Sequence, residues 1–171
     1  MMRNFWLINL IIFQSVWWLC AIFTDQAVPL VGLLFLLHFA LSPSRKADAW
    51  SLLILPLGLI VDQSLSLLGV ISFADGYQWL PLWLALLWGH FTLTLNHSLS
   101  WMSRYHFGIQ GALGAVFGAL SYVGGIKLGA LNSALSLTSV FLIFAVVWAV
   151  ILPLAVHLNG RMGQRLGEQH V

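Results

Sequence analysis

The chain consists of long apolar runs cut by short polar loops, and that alternation leaves it few ways to fold. A helix needs about 20 apolar residues to cross a bilayer, and runs near that length stand at 4–23, 50–73, 79–99, 107–126 and 137–158, with a shorter one at 28–41. Of the 171 residues, 60% are hydrophobic and 7% charged, against about 25% charged in soluble domains. Too few polar groups exist to cover a water-facing surface. The sequence therefore reads as an all-α polytopic membrane protein, a single bundle over residues 1–171 with no separate soluble domain.

Loop charges set the number of spans. Counting 28–41 as a span places Arg3, Arg45, Lys46, Arg104, Arg161 and Arg165 on one side, and only Lys127, with Asp25 and Asp75, on the other. Lys and Arg accumulate in cytoplasmic loops, so the expected topology is six transmembrane helices with the N- and C-termini cytoplasmic. A re-entrant 28–41 would move Arg45 and Lys46 outside. The same placement explains the net charge of +2 as orientation and gives no footprint for nucleic acid. The first run is read as a retained span, because Thr24, Asp25 and Gln26 follow it without a small-residue cleavage pattern. Trp88 and Trp148 lie too deep for an interfacial belt and are expected to pack between helices, while Pro56 and Pro153 are expected to kink their spans. Cys20 is the single cysteine, so no internal disulfide forms.

Asp62 falls in the middle of the third span, where a carboxylate costs roughly 2.5–3.5 kcal/mol on insertion scales. Helical spacing sets Ser66 on its face, and sets His90 and Thr94 together on the next span. Counting from the helix ends puts Asp62 and His90 at similar depth, so the expected polar mid-membrane site is an Asp62–His90 pair with Ser66 and Thr94. It serves either as a protonatable relay or as a structural pair fixing helix register. A second polar cluster, Asn96, His97, Ser98 and Arg104, closes the fourth span; it suits a phosphate or lipid headgroup, or a helix cap. His38, His97, His106 and His157 all fall at cytoplasmic helix ends. A metal there is the weaker reading, because no di-iron histidine spacing occurs and carboxylate ligands are lacking, and no cofactor is expected. A short likeness between residues 54–57 and 151–154 suggests a three-plus-three inverted repeat of the transporter kind, or chance. No P-loop, nucleophile-elbow or zincin motif is present.

The fifth span carries Gly111, Gly114, Gly118, Ser121, Gly124, Gly125 and Gly129, small residues that let helix backbones approach closely. Packing is the first reading of this stripe, with a substrate-lining face or a homodimer face as the alternatives. Together with Leu95-Asn96-His97-Ser98-Leu99 and Trp101, the run from Gly114 through Ala119-Leu120-Ser121-Tyr122 to Leu128-Gly129-Ala130 resembles the bacterial inner-membrane domain-of-unknown-function family numbered two-eight-seven-eight. The resemblance implies a multi-pass protein of the bacterial inner membrane with no established activity, often encoded near enzymes that modify fatty acyl chains. Proline is frequent in the family where this chain has Ala119, which implies a straighter fifth span here.

Three function classes follow. The first is a small carrier or lipid-handling accessory component, with the bilayer and a lipid or small molecule as partners. The second is a membrane-embedded enzyme acting on a lipidic substrate through His90, His97 and Asp62. A structural subunit of a larger membrane complex is the third.

Overall fold

In the computed structural model, which describes residues 4–165 and 167, every long element is a helix. Arg3 and the side chains of Asp75 and Arg165 lie outside the described residues. Helices α1 (Phe5–Phe23) and α2 (Val28–Leu41) are joined by a 3-10 turn, Thr24–Ala27. Thr24 holds φ at +46°, a region that β-branched residues rarely enter, and the chain reverses there. Phe5 at the start of α1 accordingly meets His38 near the end of α2, ring centroids 5.3 Å apart.

Helices α3 (Arg45–Ser51) and α4 (Leu55–Leu67) run on through a 3-10 turn, Leu52–Ile54. Pro56 sits in the first turn of α4, where its missing N–H falls among groups without a helical partner. Helix α5 is Leu82–Thr94. Helices α6 (Phe107–Leu113) and α7 (Ala119–Lys127) flank a π-helical turn, Gly114–Gly118, that ends just before Ala119. Helix α8 (Leu137–Arg165) carries Pro153 inside it.

The all-α class stands. Four helices are long and apolar enough to cross a membrane: Phe5–Leu41, broken at Thr24, then Arg45–Leu67, Phe107–Lys127 and Leu137–Gln164. Helix α5 is apolar but shorter. Large apolar side chains such as Leu36, Leu68, Trp79 and Val146 point outward, so the bundle is apolar outside as well as inside, the pattern of a protein surrounded by lipid.

Two hairpins dominate the centre. Helices α4 and α7 end alike, at Leu68-Gly69 and Leu128-Gly129. Both glycines take positive φ, +74° and +88°. The amides of Val70 and Ala130 reach back to the carbonyls of Leu65 and Gly125, at 2.9 and 3.0 Å, closing each helix with a Schellman turn. Strands β1 (Ser72–Phe73) and β2 (Leu131–Asn132) then pair antiparallel, Ser72 opposite Asn132. This ribbon sets both turns at one end of the bundle, so α4 and α7 run toward it and α5 and α8 run away.

Residues sixty apart are therefore equivalent, and several meet at the centre. Asp62 bonds to Tyr122, and Trp88 stacks on Trp148, centroids 5.2 Å apart and planes 4° from parallel. A Cβ on Gly58 would fall inside the Trp88 indole, and one on Gly118 inside that of Trp148. The two hairpins run in like direction and place residues sixty apart in matching roles, a different correspondence from the one suggested by residues 54–57 and 151–154. Helices α1 and α2 pack on the α5 side and break the symmetry.

Candidate functional site

Asp62 is fully buried, and both of its carboxylate oxygens are taken. Trp88 Nε1 donates to Oδ2 at 2.7 Å, and Tyr122 Oη donates to Oδ1 at 2.5 Å. His90 is not its partner. The His90 ring faces α2, its Nε2 3.2 Å from the Val31 carbonyl oxygen and its plane edge-on to Phe35. Spacing along one helix does not fix its rotation toward the next: two positions separate Trp88 from His90 on α5, about 200° of helix, and it is Trp88 that turns toward α4. Thr94 donates to the Phe91 carbonyl of its own helix at 2.6 Å. Ser66 is half-buried and takes no part in the Asp62 bonds. The buried site around Asp62 is thus Asp62, Trp88 and Tyr122.

On the ribbon side of this trio lies a small cavity of about 80 Å³ lined by Trp17, Trp83, Trp88, Ser121, Tyr122 and Trp148. Trp17 Nε1 donates to Ser121 Oγ at 2.7 Å. Trp83 is 2% exposed, and its indole N–H has no hydrogen-bond partner. A buried donor left unpaired costs about 1–3 kcal/mol. Asp62 itself stands behind the Trp88 and Tyr122 wall and holds those two rings in place.

The opposite end of the bundle holds a second carboxylate, which the sequence reading had passed over. Asp48 is fully buried at the start of the α3–α4 helix. His38 Nε2 lies 3.0 Å from its Oδ2, and His97 Nε2 lies 2.9 Å from Oδ1 and 3.1 Å from Oδ2. Ser42 Oγ donates to Oδ2 at 2.5 Å and Asn96 Nδ2 to Oδ1 at 3.0 Å. Asn159 Nδ2 in turn holds Asn96 Oδ1 at 2.8 Å.

The expected cluster at the end of the fourth span therefore divides: Asn96 and His97 turn to Asp48, Ser98 bonds to Asn9 Oδ1 at 2.6 Å, and Arg104 is exposed. The four end histidines divide too. His38 and His97 converge, whereas His106 Nδ1 accepts from the Gly108 amide at the start of α6 and His157 lies beside Phe107. Asp48 stood in the sequence beside Arg45 and Lys46, which gave its segment the look of a solvated loop. A usable signal was its position two residues before Trp50, at the same membrane level as His38 and His97.

The small-residue stripe serves several ends. A Cβ on Gly111 or Gly114 would meet the carbonyl oxygens of Ala149 and Trp148, so α8 crosses there with backbone against backbone. Gly118 leaves room for the Trp148 ring, Gly124 lies under Trp17, Ser121 accepts from Trp17, and Gly125 faces Leu131. Gly129 is a turn residue at positive φ rather than a packing position.

An all-helical bundle with an apolar exterior, four helices of membrane-crossing length and two buried carboxylate clusters defines a protein built for a bilayer. Within that class, the chain belongs to the family of proteins of unknown function DUF2878, which it matches over residues 6–154. The matched region takes in the first hairpin, the second as far as the middle of α8, and the residues that bond Asp62 and Asp48; Asn159, which holds Asn96, lies beyond it. No curated protein matches the chain, and no solved structure does.

Proposed function

We propose that the protein spans the bacterial inner membrane six times with both termini cytoplasmic, and that it binds an amphipathic, lipid-like molecule as a small carrier or lipid-handling accessory. The observation that carries this reading is Trp83: a buried indole N–H without an acceptor, in the wall of an aromatic cavity. Ligand pockets are typically apolar with a few placed polar groups. An ester, carboxylate or hydroxyl oxygen would satisfy the Trp83 donor, while an acyl or similar apolar body would lie against Trp17, Trp88 and Trp148. Asp62 is a positioning residue in this reading, acting through Trp88 and Tyr122.

The test uses the full chain purified in mild detergent and a fluorescent polyene fatty acid as probe. Trp83→Phe keeps an aromatic side chain, though a smaller one, and removes the donor; it is expected to weaken probe binding about tenfold, the worth of one net hydrogen bond, while the unliganded protein stays folded. Gly125→Leu fills the cavity, since a Cβ there meets only the Leu131 side chain at ordinary contact distance, and is expected to abolish binding. Wild-type affinity in both variants would sink the proposal.

A further inference from the structure

We propose that His38, Asp48 and His97 form a binding site for a first-row divalent cation of the zinc type, at the end of the bundle opposite the cavity. His Nε2 of both histidines and a carboxylate oxygen of Asp48 all lie within 4.8 Å of one another. The two Nε2···O separations of 2.9 and 3.0 Å are hydrogen-bond distances, a few tenths of an ångström short of the roughly 3.3–3.6 Å edge between tetrahedral ligands around an ion bound at about 2.0–2.2 Å, so a small outward shift of the rings would admit one. Two imidazoles and a carboxylate are a donor set that first-row ions accept, with a remaining position open.

Charge balance requires a cation here. Asp48 and His38 are fully buried and His97 nearly so, and a buried carboxylate needs positive charge beside it. Among the described residues no Lys or Arg pairs with Asp48; the two histidines are its only ion-pair partners. Either an imidazolium or a metal ion supplies the charge, and the surroundings favour the ion. Ligating carboxylates are themselves hydrogen-bonded from an outer shell, and here Ser42 and Asn96 hold the Asp48 oxygens while Asn159 holds Asn96. Phe5 packs against both imidazoles in T-shaped contacts, centroids 5.3 and 4.6 Å away, which restrains their planes. His38 Nδ1 is buried without a partner.

The experiment titrates zinc, and cobalt as its spectroscopic substitute, into full-length protein purified without a histidine tag and stripped with a chelator. About one equivalent of zinc is expected, with cobalt giving the visible absorption of nitrogen and oxygen coordination. The diagnostic variant is His97→Gln, whose amide still donates to Asp48 and so preserves the hydrogen-bonded cluster, yet ligates poorly. It is expected to elute and melt like the wild type while losing zinc affinity by more than ~100-fold; His157→Gln is expected to keep it. Wild-type protein that takes up no zinc, or His97→Gln that binds zinc as tightly as the wild type, overturns the proposal and leaves a cluster held by hydrogen bonds and a proton alone.

Discussion

At the scale of single residues, the arrangement around Asp62 is a satisfied one. Its two oxygens accept from Trp88 and Tyr122, and both donors belong to buried side chains. A carboxylate replaced by an apolar side chain leaves both donors unpaired, whereas removing a donor along with it leaves one fewer. Asp62→Leu is therefore expected to destabilise the protein by about 2–5 kcal/mol, seen as a lower Tm in detergent. Adding Tyr122→Phe should recover part of that loss instead of adding to it. A double variant whose loss equals the sum of the two single ones would mean that the Asp62–Tyr122 bond contributes nothing. Trp83 stands at the other pole: it is a donor that the chain itself leaves open, which is why it and not Asp62 points to a ligand.

Among elements, the two hairpins behave as one design used twice. Gly58 and Gly118 occupy equivalent places, each under the indole of its own hairpin's second helix, and the two indoles stack on each other. Gly58→Ala and Gly118→Ala are both expected to force those rings out of contact, each costing about 1–3 kcal/mol or more, in similar measure by thermal unfolding. A large loss at one and none at the other would show that the equivalence is not energetic. Much of this level was legible beforehand. The apolar runs gave the helices, the glycine stripe gave the close approach of α8, and the depth of Trp88 and Trp148 gave rings packed between helices. The repeat was not legible, because too few equivalent side chains remain alike: Gly58 and Gly118, Trp88 and Trp148, and the two Leu-Gly turns, set among abundant leucine. Nor was the Asp62 partner, since periodicity reports spacing along one helix and not the rotation of a neighbour. Asp48 was hidden for a different reason. Proximity to Arg45 and Lys46 looks like a solvated loop, and only the fold brings His38 and His97 down upon it.

For the whole molecule, the two ends are chemically distinct, and the proposed topology assigns each to a side. The ribbon end carries the paired strands and the mouth of the Trp-lined region. The turn Thr24–Ala27 joins it, as Cys20 Sγ near the carbonyl of Trp83 shows by tying the end of α1 to the start of α5. The other end carries the Asp48 cluster with Arg45, Lys46 and Arg104 near it in the chain. Under the positive-inside rule the Asp48 end is cytoplasmic, and the short helix α2 must then cross fully, although its 14 residues span only about 21 Å at 1.5 Å per residue. A stretch that short is accommodated by local thinning of the bilayer or by flanking polar groups. Single cysteines in a Cys20→Ala background test this directly. Gln26→Cys and Ser72→Cys are expected to react with a membrane-impermeant maleimide in spheroplasts, and Ser44→Cys and Ser103→Cys only after the membrane is opened. Labelling of Ser44→Cys from outside would make α2 a re-entrant arm and reduce the number of crossings. Labelling only at Ser103 and Ser44 would invert the molecule, placing the proposed metal site outside the cell and the aromatic cavity toward the cytoplasm.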